Sequence, residues 1–125
     1  MKSAELQERT KKFALRVLNL IENLPDTIRG RVVANQLARS ATSVGANYRA
    51  ACRGRSRAEF ASKLGTVAEE ADESLYWLEL IHDGEFIPQK KVIPLLREAD
   101  ELTAIFTSGR RSASRPQPPK IKPQT

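Results

Sequence analysis

The chain has 125 residues, 40% hydrophobic and 29% charged, with one cysteine, one histidine and a formal net charge of +6. That length suits one ordinary domain, a single cysteine excludes an internal disulfide, and no run approaches the roughly 18 apolar residues of a membrane span. Charges at Lys2, Glu5, Glu8 and Arg9 leave no room for the apolar core of a signal peptide, so a cytoplasmic protein is expected.

The first helix is expected from about Ser3 to Asn23, because Phe13, Val17, Leu20, Ile21 and Leu24 recur at three- and four-residue steps. Leu24-Pro25 stops it, since a residue before proline avoids the helical region. A second helix runs from about Thr27 to Cys52, with Val33, Leu37, Ala41, Val44, Tyr48 and Ala51 on one side. Arg31, Asn35, Arg39, Arg49 and Arg53 gather nearly opposite. Small residues border the apolar face, and Gly45 within them implies a close helix neighbour.

Arg53-Gly54-Arg55 reads as a helix end with a left-handed glycine cap. Ser56-Arg57-Ala58-Glu59 reads as a capping box that starts the third helix. That helix extends to Asp83, with Phe60, Leu64, Val67, Ala71, Leu75 and Leu78 inward and Glu69, Asp72, Glu73 and Glu79 outward. A fourth helix begins near Pro88 or a few residues later, carries Leu95, Ala99, Leu102 and Phe106 inward, and fades near Ser108. The expected division is a bundle over residues 1–111 and a disordered, basic, proline-rich tail over 112–125. The expected fold class is all-α, an antiparallel up-down-up-down four-helix bundle.

Charge is segregated along the chain. Residues 29–63 hold seven arginines and Lys63 against Glu59 alone, whereas residues 64–105 hold ten acids and three bases. Guanidinium groups grip phosphates in a forked geometry that lysine cannot reproduce. Arg31, Arg39, Arg49, Arg53, Arg55, Arg57, Lys63, Arg110, Arg111 and Arg115 are therefore the candidate nucleic-acid contacts. The same arginines, Arg39 above all, are equally placed to pair with third-helix acids. No aromatic ring is interleaved with them, which argues for backbone or folded-RNA contact rather than base stacking.

Catalysis and metal binding find no foothold. His82 and Cys52 stand alone on different helices, no Glu-x-x-His pair exists, and Gly45 and Gly54 are isolated, so neither a catalytic residue, a metal site nor a cofactor is expected. Leu15, Leu18, Tyr76, Trp77 and Leu80 lie off the main apolar stripes. A broad core would absorb them, but a set containing Trp and Tyr points more strongly to a subunit contact.

The stretch Asn35-Gln36-Leu37-Ala38-Arg39-Ser40-Ala41-Thr42-Ser43-Val44-Gly45-Ala46-Asn47-Tyr48-Arg49, followed by Arg55-Ser56-Arg57-Ala58-Glu59-Phe60 and Glu70-Ala71-Asp72-Glu73-Ser74-Leu75-Tyr76-Trp77-Leu78-Glu79-Leu80, resembles a known family. It is the bacterial four-helix-bundle family named for the 23S ribosomal RNA intervening-sequence protein, and the likeness spans about residues 5–108. The resemblance implies the bundle and a ring-shaped homopentamer. A distant relative, the accessory protein of diversity-generating retroelements, partners a reverse transcriptase and nucleic acid. The expectation is a non-catalytic, oligomeric nucleic-acid-binding protein, RNA being the favoured partner. The alternative is a scaffold that docks a protein such as a polymerase or reverse transcriptase.

Overall fold

A computed structural model describes residues 1–116. Four helices follow one another: α1 (Ser3–Ile21), α2 (Ile28–Cys52), α3 (Arg57–Asp83) and α4 (Gln89–Ser114). The local chemistry explains most boundaries. Thr27 caps α2 by accepting a hydrogen bond from the Gly30 amide at 3.1 Å, and Ser56 caps α3 by accepting one from the Glu59 amide at 3.1 Å. The Glu59 carboxylate reaches back to the Arg55 amide at 3.4 Å, one residue earlier than an ideal capping box would place it.

Packing is cyclic. α1 lies against α2 and α4, α3 lies against α2 and α4, and α1 and α3 are diagonal. Four successive antiparallel helices therefore put the α1–α2 and α3–α4 turns at one end. The N-terminus, the α2–α3 turn and the end of α4 lie at the other. The core is the expected one: Phe13, Val17, Leu37, Val44, Val67 and Leu102 are each almost fully buried. Tyr48 from α2 meets Phe106 from α4 across the interior, ring centroids 5.1 Å apart. Burial pushes the Tyr48 phenol above its ordinary range.

Two buried serines, Ser40 and Ser74, pair at 3.0 Å where α2 meets α3, satisfying each other inside the core. Gly45 carries the expected close approach: a Cβ there would stand 3.2 Å from Thr10 Oγ1 on α1. α1 is also clamped to α4, where Arg9 donates through Nε and Nη2 to both oxygens of Glu98 at 2.9 and 2.6 Å.

Three features of the helix ends stand out. No described glycine has a positive φ, so Gly54 is not a left-handed cap. It is a glycine because a Cβ would press on the Ala51 carbonyl at 3.0 Å. The left-handed residue is Glu85, with φ 52°. There the Phe86 amide donates to the Ile81 carbonyl and the Glu85 amide to that of His82, which is a Schellman closure with glutamate in the glycine position. Gly84, one place early, is needed for space, since its Cβ would meet Phe86 at 2.6 Å and the Leu80 carbonyl at 2.9 Å. Finally, α4 continues to Ser114, so Ser112 to Ser114 belong to the helix and not to the expected tail. Residues 117–125 of that tail lie outside the described residues.

Candidate nucleic-acid interface

The topology sorts the ten candidate cations by position along the bundle. Arg31 stands near the α1–α2 turn, its guanidinium 2.7 Å from Asp26, with both side chains exposed. Arg39 sits midway and reaches across to α3, pairing with Glu70 at 3.2 Å and with Glu73. The second-helix stripe is thus interrupted. Arg39 is spent on the α2–α3 contact, beside the Ser40–Ser74 pair, and Arg31 on its own turn.

The other eight collect at the opposite end. Arg49 and Arg53 come from the last turns of α2, Arg55 from the α2–α3 turn, and Arg57 and Lys63 from the first turns of α3. Arg110, Arg111 and Arg115 come from the end of α4. Part of this gathering is structural, because helix C-termini attract cations. Arg57 is committed further: it donates to the carbonyls of Ala113 at 3.1 Å, Ser112 at 3.2 Å and Arg115 at 2.9 Å, capping α4 from a neighbouring helix. That grip explains the extra turn of α4. Lys63 stays 4.0 Å from Glu59 in an exposed pair of little strength. Arg110 lies over Gly65 of α3, where a Cβ would come within 3.1 Å of its Nε.

Among the described residues, Arg49, Arg53, Arg55, Arg110, Arg111 and Arg115 form no ion pair. Six exposed or lightly packed cations at one end make a concentrated positive field, while exposed Glu69, Asp72 and Glu79 on α3 repel phosphates from that flank. Periodicity alone could not find the gathering, because it joins the end of α2 and the α2–α3 turn to the end of α4, which is remote in sequence. The signal that could have found it was the up-down order itself.

The apolar surplus sorts too. Leu15 is 54% exposed, Leu18 37% and Tyr76 53%, but Trp77 is partly buried against the core. Leu80 is likewise half-buried. Trp77 is therefore partly a core residue, its ring edge-on to Tyr76 at 5.1 Å. Ile28 and Val32 are also open, 77% and 51% exposed. Among the described residues, five of the six large exposed hydrophobics lie on the halves of α1, α2 and α3 nearer the α1–α2 and α3–α4 turns, and therefore toward the end of the bundle that holds those turns. The six unpaired arginines and these five apolar side chains thus occupy opposite ends.

Residues 2–108 match the family described as 23S rRNA-intervening sequence protein. The chain belongs to that family. Its description names no reaction. A crystal structure of a protein of unknown function from the S23 ribosomal protein family, from Bacteroides thetaiotaomicron, is similar at 33% sequence identity and a TM-score of 0.79, covering 89% of this chain and 99% of that one. A search of curated proteins returns no match. The four-helix, all-α architecture is consistent with that neighbour. Among the described residues no helix is long and apolar enough to cross a membrane, and no group of three or more potential metal ligands occurs.

Proposed function

We propose that the chain is a non-catalytic, cytoplasmic, RNA-associated protein that acts as a homo-oligomer and holds nucleic acid at its arginine-rich end. The observation that carries this reading is the gathering of six arginines from α2, the α2–α3 turn and α4, none engaged by a described carboxylate. Isolated surface charges need no explanation. A set assembled by topology, rich in arginine, and left unneutralised in a molecule with fifteen acids does. The family and its S23 neighbour carry ribosomal names, which supports RNA as the partner.

The apolar band of Leu15, Leu18, Ile28, Val32 and Tyr76 supports self-association, with Trp77 and Leu80 beneath it. The number five rests on the family resemblance. In a closed ring each subunit repeats the arginine end, so weak phosphate contacts add up. The test is binding to a short single-stranded RNA across a salt series. Replacing Arg49 and Arg53 together by alanine removes two phosphate contacts and flattens the slope of log K against log salt by about 1.4 per engaged protomer. Unchanged affinity and slope would refute the reading. The apolar band would then favour a scaffold that docks another protein.

A further inference from the structure

A cavity of about 490 Å³ forms a groove between the first half of α1 and the second half of α2. Its floor is made of small groups: Thr10, Ala14, Gly45 and Ala46. Gly45 and Thr10 let the two backbones approach, and the absence of larger side chains above them leaves the hollow open. The rim has a different chemistry. Lys11 and Arg49 line it together with Glu8 and Gln7, and among the described residues none of the three charged groups is in an ion pair. Arg53 stands one turn beyond Arg49 on α2, so the groove opens directly onto the arginine end.

Building on the RNA reading above, we propose that this groove seats one unstacked nucleotide of a single-stranded RNA segment held by the arginine end. Three properties fit that ligand. The volume lies in the range of small-ligand sites, about 300–1,000 Å³. Two cations at the rim meet the phosphates on either side of the seated nucleotide. The Glu8 carboxylate and Gln7 amide offer an acceptor and a mixed donor–acceptor for ribose hydroxyls or a base edge, the groups through which single-stranded RNA is read. A docked apolar helix would instead have to bury or displace two cations and a carboxylate, and charged groups are depleted at the centre of protein interfaces. Small side chains accommodate a flat base without an aromatic platform, so shape and hydrogen bonding at this site replace stacking.

The experiment uses the full chain, a short oligouridylate and the four ribonucleoside 5′-monophosphates, with amide chemical shifts, equilibrium affinity and light scattering as readouts. Ala46→Trp fills the groove from an exposed position and leaves the fold intact. Lys11→Ala removes a rim cation from another exposed position. In the unmodified protein RNA should shift the amides of Glu8, Gly45 and Ala46 besides those of the arginine end. Ala46→Trp should abolish those groove shifts and weaken RNA binding about tenfold or more. It should do so without changing the salt slope, whereas Lys11→Ala lowers the slope. Wild-type affinity in Ala46→Trp, with shifts confined to Arg53–Arg57 and the end of α4, overturns the groove proposal and leaves the wider reading standing. A changed oligomer mass with unchanged RNA affinity also overturns it, marking the groove as a protein contact. No RNA binding by the unmodified chain overturns both.

Discussion

Removing Arg9 tests what holds α1 to α4. Its guanidinium clasps both oxygens of Glu98 and also reaches Glu101 at 2.7 Å. The Glu98 side chain is 15% exposed and that of Arg9 25%, whereas Glu101 at 67% is open to water and adds little. The hydrogen bonds from Arg9 hold the Glu98 carboxyl below its usual range, against the opposing effect of burial. A carboxylate depressed in the folded state contributes stability at pH above its unfolded value, and loses it as pH falls through the folded one. The Arg9 guanidinium, raised further above its ordinary value, stays charged throughout this window. The expected cost of Arg9→Ala at pH 7 lies between an exposed pair and a buried one, about 2 kcal/mol. That corresponds to a fall in Tm of roughly 8 °C for a domain of this size. As pH falls below the ordinary carboxylate range and Glu98 takes up a proton, the gap between the two proteins should close to what the arginine stem contributes by packing. Thermal melts followed by circular dichroism at pH 7 and at pH 3 decide the matter, with Glu98→Gln completing a double-mutant cycle. An equal gap at both pH values would mean that α1 is fastened by packing and not by charge.

The α3–α4 turn should respond in opposite senses at neighbouring positions. Glu85→Gly relieves a left-handed glutamate and should raise stability by about 0.5–1 kcal/mol, while Gly84→Ala, driven against Phe86 and the Leu80 carbonyl, should lower it by about 1–3 kcal/mol; urea melts compare the two. Leu15→Asp with Tyr76→Asp should dissociate the oligomer in light scattering with helicity retained, because both side chains are exposed in the protomer; a native mass in that variant would remove the apolar band from the assembly. Arg57→Lys keeps the charge but loses the fork across three carbonyls, so amide exchange over Ser112–Ser114 should quicken with little change in Tm; unaltered protection there would show that the last turn of α4 stands without Arg57.

Much of the fold was legible because its signals are local. Thr27 and Ser56 start helices for reasons contained within four residues. The spacing of Val33, Leu37, Ala41, Val44, Tyr48 and Ala51 names a buried face without reference to what covers it, and all six are buried. What escaped depends on partners remote in the chain. Ser112–Ser114 look like tail until Arg57, on another helix, supplies the capping donors that this stretch lacks. Gly54 looks like a left-handed cap from its neighbours alone, but the positive φ falls at Glu85 instead. Arg39 was ambiguous on its own helix because only the register between α2 and α3 places it opposite Glu70 and Glu73.

The candidate site follows the same division. Helical phase grouped Arg31, Arg39, Arg49 and Arg53 correctly as one exposed side of α2, but a functional surface is defined by position along the bundle as well as around the helix. Once antiparallel order is imposed, the α2 arginines part company: Arg31 and Arg39 meet acids, and Arg49 and Arg53 meet the cations of the α2–α3 turn and of α4. Like charges brought together in this way cost stability in the isolated protomer. Glu5, Glu8 and Glu59 also lie toward this end, but among the described residues none of them pairs with the six arginines, while ten acids stand together in residues 64–105. An anionic ligand at the arginine end would relieve the repulsion, so its binding should stabilise the folded chain as mass action requires. The six unengaged arginines are therefore better understood as the ligand's side of an incomplete ionic contact than as a solvated face.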